Sequence, residues 1–264
     1  MDMAMKLHLK SLARSFQDLF FPRICAGCLT TWLSTEYGFW CEDCLGELPW
    51  IRSPLCPCCG RPFFKSELAS DHLCGECVLK TPPFAAARSA VQHAGFVRDR
   101  INQLKFGGQL HWAPPLAQLL EEAVRYLPDI EFDYIVPVPL HIRRLRQRGF
   151  NQAGLIARML GKSLQSRVRF DVLIRRQWTE PQTRLSREER LRNVKRAFSV
   201  AAPSEVVGRR ILLIDDVFTT GTTLVECCKT LKKAGASEVH AVTVTRSLPE
   251  MRMDLEETGK PLEL

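Results

Sequence analysis

Two adjacent carboxylates followed by a loop of small hydroxyl residues are the clearest chemical feature of this sequence. Asp215 and Asp216 end an apolar run that begins at Ile211, and residues 219–223 contain four threonines and one glycine. Carboxylates accept hydrogen bonds from sugar hydroxyls and hold Mg²⁺, while a helix N-terminus with nearby hydroxyls binds phosphate. The pattern predicts a site for a ribose 5-phosphate. A polar turn after a strand is the alternative, and the loop lacks the lysine of a nucleotide-hydrolase phosphate loop.

Cysteine spacing predicts a second kind of site. Nine of the eleven cysteines lie before residue 80, and eight of these form four Cys-x-x-Cys pairs. Two such turns present four thiolates to one zinc ion. Disulfides are the alternative, but the start of the chain has no features of an export signal. Pairing neighbouring turns predicts two zinc ribbons in series, with crossed pairing and a single occupied site left open. The predicted ligands are Cys25, Cys28, Cys41 and Cys44, then Cys56, Cys59, Cys74 and Cys77.

The remaining cysteines and the aromatic residues of this segment have simpler interpretations. Cys58 is predicted to be a bystander or an alternative to a neighbouring ligand, and Cys227 and Cys228 to be small buried residues on a helix. Trp50, Phe63 and Phe64 could stack on nucleic-acid bases, although packing within a small domain is the expected use of each one taken singly. Since the segment has few aliphatic residues, metal binding is expected to supply its folding energy.

Charge and hydropathy limit the classes of partner. The net charge is +8, and residues 141–210 alone contain 18 Lys and Arg against 5 Asp and Glu, a local net of +13. Such a block suits a phosphate-rich partner, with a solvated surface as the alternative. No apolar run approaches the length of a membrane span. Residues 1–22 have the spacing of a short amphipathic helix, which packs on its own protein or lies on a membrane surface.

The second part of the chain predicts the elements that must position the aspartates. Strand patterns in residues 86–95, 133–140, 170–176, 209–216 and 237–247 alternate with helix patterns in residues 96–108, 114–127, 149–162 and 222–236. Alternation of this kind predicts an α/β fold with a doubly wound parallel sheet. Ligands of such sheets bind beyond the carboxyl ends of the strands, where Asp215 and Asp216 lie. Thr223 and Glu226 match a capping box, which predicts that the last helix starts near Thr223.

Three motifs in order resemble the ComF family of competence-associated proteins, also called GntX-like, which has the type I phosphoribosyltransferase fold. They are "DYIVPVPLHIRRLRQRGFNQA", "PQTRLSREERLRNVKRAF" and "ILLIDDVFTTGTT", and a cysteine-rich ribbon precedes them. The resemblance covers about residues 25–246. It implies four segments: an N-terminal helix (1–22), a double zinc ribbon (23–83), a phosphoribosyltransferase-like domain (84–247) and a tail (248–264).

The resemblance also implies a role for each part of the site. Asp215 and Asp216 would hold the ribose hydroxyls of phosphoribosyl pyrophosphate (PRPP), bound with Mg²⁺, and are the expected catalytic residues. The 5-phosphate would bind Thr219, Thr220, Gly221, Thr222 and Thr223. Lys105, Val138 in the turn of residues 136–139, and Arg148 would complete the PRPP site, with Gly107, Arg143 and Arg144 nearby. Residues 177–192 would form a flap with Gln182 and Arg184, and His93 departs from the tyrosine common in the family.

Three functions are consistent with these features. The first is an accessory role in natural transformation, in which the protein binds PRPP and handles incoming single-stranded DNA in the cytoplasm. The second is phosphoribosyl transfer to an unidentified acceptor resembling a nucleobase. The third is PRPP sensing without catalysis. The resemblance implies a competence helicase and recombination proteins as partners, and a peripheral location at the inner membrane is the alternative to a wholly cytoplasmic one.

Overall fold

A computed structural model describes residues 24–30, 38–63, 70–128, 130–178 and 197–248. The cysteine-rich segment contains two short helices, α1 (Glu42–Glu47) and α2 (Gly75–Leu79). The following elements are β1 (Ala87–Gln92), α3 (Gly95–Gly107), α4 (Ala113–Arg125), β2 (Tyr134–Pro137), α5 (Ile142–Arg148), α6 (Gln152–Ser163), β3 (Leu173–Arg175), β4 (Phe198–Val200), β5 (Arg210–Phe218), α7 (Thr222–Lys233) and β6 (Glu238–Arg246).

Four parallel strands form the main sheet, in the order β1-β6-β5-β2. The predicted α/β fold with a parallel sheet is confirmed. Leu212 and Ile214 of β5 pack into one hydrophobic cluster, and Ile211 and Leu213 into another. This alternation explains the continuous apolar run, because a strand covered on both faces needs apolar residues at every position. The first cluster includes residues of α3, α4 and α6, and the second includes residues of α7.

The segment of residues 170–176 differs from its expected place. Only Leu173–Arg175 is a strand, and it pairs antiparallel with β4 in a separate two-stranded sheet. Two strands this short gain stability from packing against a larger domain. Leu173 and Phe198 provide this packing, because both side chains belong to the second cluster. The prediction of this segment as a further strand of the parallel sheet is therefore wrong.

The cysteine-rich segment packs along the outer edge of the sheet. Ile51 N–H donates to Ala90 O at 2.9 Å, and Gln92 N–H donates to Pro49 O at 2.9 Å. These bonds cover the free edge of β1, which would otherwise present unpaired backbone groups. Trp40 is fully buried against the first cluster, so the ribbon segment and the sheet share one core. The predicted helix of residues 1–22 lies outside the described residues, as do residues 249–264 of the expected tail. None of the helices in the described residues has the length and hydropathy of a membrane span.

Candidate functional site

Two groups of four cysteines converge in the ribbon segment. Within each group, all sulfur atoms lie within 4.8 Å of one another. The groups are Cys25, Cys28, Cys41 and Cys44, and Cys56, Cys59, Cys74 and Cys77, so neighbouring Cys-x-x-Cys turns pair and the crossed pairing is wrong. Four convergent sulfur atoms suit the tetrahedral coordination of structural zinc. Cys58 belongs to neither group, as the bystander interpretation predicts.

Backbone amides donate hydrogen bonds to sulfur atoms in both clusters. In the first cluster, the amides of Gly27 and Cys41 each donate to Cys25 Sγ at 3.3 Å. In the second cluster, the amides of Cys59 and Cys74 each donate to Cys56 Sγ at 3.5 Å. Hydrogen bonds of this kind favour the thiolate, which is the form that binds zinc. Both clusters therefore have the donor set and the outer hydrogen bonds of structural zinc sites.

A buried arginine from the α/β domain docks each cluster. Arg100 of α3 donates to Ala26 O at 2.7 Å and to Gly27 O at 3.0 Å, beside the first cluster. Arg246, at the end of β6, donates to Cys59 O at 2.7 Å in the second cluster. Neither contact was predicted, because a single arginine on a helix or at the end of a strand has no distinctive sequence pattern.

The two aspartates project to opposite faces of β5. Asp216 is 4% exposed and pairs with Lys105 of α3, whose Nζ lies 2.7 Å from Asp216 Oδ2. Burial, followed by the nearby charge of Asp216, raises the pKa of Asp215 well above its usual value. Burial, followed by the charge of Asp215, likewise raises the pKa of the Cys227 thiol on α7. The adjacent aspartates thus have different environments, because successive residues of a strand point to opposite faces.

A tight loop connects these aspartates to helix α7. Gly221 adopts a left-handed conformation with φ of 72° and is the N-cap of α7. A Cβ atom at this position would lie 2.6 Å from Cζ of Phe218, so the loop requires glycine for both reasons. Thr220 Oγ1 and Thr222 Oγ1 are hydrogen-bonded at 2.9 Å.

The start of helix α7 differs in detail from the predicted capping box. The helix begins at Thr222, so Thr223 lies inside its first turn, and the N-cap makes no side-chain hydrogen bond. Glu226 forms an ion pair with Lys229 at 2.6 Å instead of reaching back to the cap. Without a capping side chain, the first amides of α7 can donate to an external anion. The capping-box prediction is therefore wrong, and without a capping side chain the first amides of α7 are available to a phosphate.

The turn of residues 136–139 lies beside the aspartates. Val138 N–H donates to Ile214 O at 2.8 Å, which extends the pairing of β2 with β5 to the residue before Asp215. Asn151 Nδ2 donates to Val138 O at 3.0 Å and fixes the turn from the opposite side. Arg148 Nη1 is held by Gln152 Oε1 at 2.6 Å. Burial lowers the pKa of Arg148, and the charge of Asp216 opposes this shift.

A pocket of about 490 Å³ opens beside this edge of the sheet. It combines cationic side chains with aromatic rings, and Phe106 is 75% exposed. Its lining consists of Lys105, Phe106, Gly107, Gly108, Arg144, Gln147, Arg148 and Phe150. Lys105 and Arg148, predicted from distant parts of the sequence, therefore meet in one pocket, while Arg143 is exposed outside it.

Several other predicted positions have different surroundings or lie outside the described residues. His93 Nδ1 is hydrogen-bonded to Thr245 Oγ1 at 2.9 Å, which gives this residue a structural partner between β1 and β6. Cys227 and Cys228 are fully buried, as predicted. Phe63 stacks on His72 with 3.9 Å between ring centroids. Phe64, Gln182, Arg184 and most of the expected flap lie outside the described residues.

Comparison with known proteins gives two domain families and several relatives. Residues 16–78 match the double zinc ribbon domain family, and residues 143–255 match the phosphoribosyl transferase domain family. The chain is 36% identical to DNA utilization protein YhgH of Escherichia coli K12 over 198 residues, covering 74% of this chain and 85% of that protein. It is 32% identical to competence protein F of Haemophilus influenzae over 230 residues, covering 80% of this chain and 98% of that protein.

Among solved structures, the chain is similar to a glutamine PRPP amidotransferase from Bacillus subtilis. The TM-score is 0.32 with 19% identity, and the match covers 67% of this chain and 32% of that one.

Proposed function

The chain belongs to the competence protein F family, which joins a double zinc ribbon to a phosphoribosyltransferase domain, and we propose that it binds PRPP with Mg²⁺ while assisting natural transformation. The position of the aspartates directly before the loop of residues 219–221, with Lys105 joining Asp216 to the pocket of about 490 Å³, carries the PRPP proposal. The aspartates suit a ribose diol and Mg²⁺, and the amides of α7 suit the 5-phosphate. Lys105, Arg144 and Arg148 add positive charge for the pyrophosphate.

Calorimetry with PRPP and Mg²⁺ tests this part of the proposal. Asp215→Asn and Asp216→Asn should each weaken binding by at least about tenfold, because each removes a carboxyl group that would hold the ribose diol or Mg²⁺. Asp99→Asn is the matched control, since Asp99 is an exposed carboxylate of α3 that pairs with Arg98. Wild-type protein that shows no heat of binding would contradict the proposal.

Single-stranded DNA is the second proposed ligand, supported by a cationic and aromatic surface. Helix α5 carries Arg143, Arg144, Arg146 and Arg148 and no acidic residue. The ring of Trp178 lies 5.9 Å from Arg143 Cζ and 5.4 Å from Arg144 Cζ. Arginines attract the phosphate backbone, and an aromatic ring provides a stacking surface for bases. The proposed role places the protein in the cytoplasm, where reducing conditions keep the zinc-binding thiols available.

A transformation assay connects the site to the cellular role. A naturally competent strain that lacks its own family member would be complemented with the wild-type gene or with the Asp215→Asn/Asp216→Asn variant. At protein levels matched to the wild type, we expect the variant to restore few transformants. Full restoration would show that natural transformation does not require the PRPP site.

Phosphoribosyl transfer is a second candidate function, favoured by the pocket of about 490 Å³ that is lined by Lys105, the ion-pair partner of Asp216. Phe106 and Phe150 could pack against a planar acceptor there. In the transfer, the bond from ribose C1 to pyrophosphate breaks and a bond to the acceptor forms. Assays of pyrophosphate release across a panel of nucleobases, with Asp216→Asn as the negative control, test this candidate. Release by the wild type alone would support catalysis, and PRPP binding without release would favour a sensing role.

A further inference from the structure

We infer that Arg246 is a positioning residue that links the second cysteine cluster to the loop of residues 219–221. This inference concerns how the proposed PRPP site is held in place and rests on that proposed function for its consequences in binding. Arg246 is 7% exposed and donates to Cys59 O at 2.7 Å. Its Nη2 also donates to Cys59 Sγ at 3.8 Å. One side of its guanidinium group is therefore fixed by the metal-binding turn.

The other contact of Arg246 is with the strand that leads into the loop. Arg246 and Phe218 are register partners in β6 and β5. The guanidinium carbon lies 4.0 Å from the centre of the Phe218 ring, and Phe218 is 5% exposed. A desolvated cation over an aromatic ring is a favourable and directional contact. Arg246 therefore fixes the orientation of the Phe218 ring.

The Phe218 ring in turn lies directly against the loop. Its Cζ atom is 2.6 Å from the position that a Cβ atom of Gly221 would occupy. Ser247 N–H donates to Phe218 O at 2.8 Å, which anchors the start of the loop to the residue after Arg246. Movement of the ring would change the space available to Gly221, the N-cap of α7. The contacts thus run without interruption from Cys59 through Arg246 and Phe218 to the loop.

Within the described parts of the chain, the docking contact of the first cluster leads to α3 and not to the loop. Its docking residue, Arg100, lies on α3, with its guanidinium carbon 4.6 Å from the centre of the Trp112 ring. Loss of metal from the second cluster should therefore disturb residues 219–224, whereas loss from the first should leave them unchanged. The first cluster provides a matched internal control.

Amide hydrogen exchange tests the inference without any ligand. Cys77→Ser should remove the second zinc site and Cys28→Ser the first, with zinc content measured for both. We expect exchange of the Val225 and Ser247 amides, which donate to Gly221 O and Phe218 O at the two ends of the loop, to become about tenfold faster in Cys77→Ser and to stay unchanged in Cys28→Ser. Arg246→Met should accelerate the same residues while two zinc ions remain bound. Unchanged exchange in Arg246→Met would overturn the inference.

Two further variants distinguish a specific contact from general loss of structure. Arg246→Lys keeps a charged donor and should restore part of the slow exchange. Phe218→Leu should accelerate the loop as Arg246→Met does, and the double variant should show little additional effect, because both changes break the same contact. Additive effects would count against the inference. Arg125→Met, which removes an exposed arginine paired with Glu122, is the control.

PRPP binding gives a second readout that separates this inference from the proposed function. If wild-type protein binds PRPP, Arg246→Met should weaken that binding about tenfold. Because coupling between two sites is reciprocal, bound PRPP should also slow the removal of one zinc ion by a chelator. We expect this protection in the wild type only. Equal protection in both proteins would overturn the inference. Failure of the wild type to bind PRPP would reject the proposed function, while hydrogen exchange would still decide the role of Arg246.

Discussion

Lys105 and Asp216 form an ion pair between α3 and β5, with 2.7 Å between Nζ and Oδ2. The side chain of Asp216 is 5% exposed and that of Lys105 is 19% exposed, so water screens their attraction only weakly. The pair joins two residues that lie 111 positions apart in the chain. It neutralises a carboxylate that the sheet would otherwise bury without a partner.

Removing one member of this pair should destabilise the protein more than removing both. Lys105→Met leaves Asp216 buried without its cation, and we expect a loss of about 3 kcal/mol in the free energy of unfolding. The double variant Lys105→Met/Asp216→Asn should recover most of that loss, because no buried charge remains. Urea denaturation measures both changes.

A second ion pair of similar length provides the control for burial. Lys229 lies 2.6 Å from Glu226, but its side chain is 50% exposed. Lys229→Met should therefore cost less than about 1 kcal/mol. Equal losses in Lys229→Met and Lys105→Met would show that burial of Asp216 does not govern the effect.

The ligand-free protein should become less stable as pH rises, through Asp215. Burial and the charge of Asp216 raise the pKa of Asp215, so the folded protein retains a proton that the unfolded chain releases. Stability from this group is present at low pH and declines as the pH rises from the unfolded value towards the raised folded value. Asp215→Asn should remove this dependence and stabilise the protein at neutral pH by about 1–2 kcal/mol.

Thermal unfolding of the wild type and Asp215→Asn across pH 5 to 8 would measure this difference. Subtracting the two curves removes contributions shared by both proteins, including zinc release from the cysteine clusters. A constant difference at all pH values would show that Asp215 does not titrate with a raised pKa.

Metal content should reflect two independent cysteine clusters. Elemental analysis should find two zinc ions per chain, and Cys28→Ser and Cys77→Ser should each lose one, because the four sulfur atoms of each cluster converge on one position. Cys58→Ser is the matched control and should retain both ions, since Cys58 belongs to neither cluster. A single ion in the wild type would contradict this expectation.

Much of the fold and of the candidate site follows from local sequence patterns. The apolar run before Asp215 predicts a strand buried on both faces, and alternation of elements predicts the parallel sheet. Spacing of the cysteine pairs predicts both metal clusters, because each turn is a local structure with few alternatives. Such features need only information from neighbouring residues.

Other features depend on contacts between distant residues and could not be predicted. Arg100 and Arg246 dock the two clusters through backbone carbonyls, which have no sequence pattern. The antiparallel pairing with β4 joins Leu173 to Val200 and Arg175 to Phe198, which are distant in the chain. Thr223 and Glu226 have the spacing of a capping box, but the Phe218 ring and the left-handed Gly221 move the cap two residues earlier.

Single-stranded DNA binding should depend on salt through the arginines of α5. Each phosphate contact contributes about 0.7 to the slope of log affinity against log salt for single strands. Arg143→Ala/Arg146→Ala should therefore reduce the slope by about 1.4, if each arginine contacts one phosphate. Fluorescence anisotropy with a labelled oligonucleotide at several salt concentrations measures the slope.

Charge and stacking can be separated on this surface. Trp178→Ala should lower affinity and leave the salt slope unchanged, because it removes a stacking surface without removing charge. Arg98→Ala/Arg125→Ala changes the net charge as much as the α5 double variant does, and it should preserve the slope because these exposed arginines pair with Asp99 and Glu122. A wild-type slope near zero would exclude this surface as a DNA-binding site.

Alanine substitutions at Gly221 and Gly208 separate the effect of the close contact with Phe218 from the effect of backbone conformation. Both glycines have left-handed φ values, 72° and 71°. A Cβ atom added at Gly221 would lie 2.6 Å from the Phe218 ring. A Cβ atom added at Gly208 would have no neighbouring atom within 4 Å. Gly208→Ala should cost about 1 kcal/mol of stability from conformation alone. Gly221→Ala should cost about 1–3 kcal/mol more, because the ring or the loop must move, and should weaken PRPP binding. Urea denaturation and calorimetry measure these effects, and equal losses in the two variants would show that contact with Phe218 does not constrain the loop.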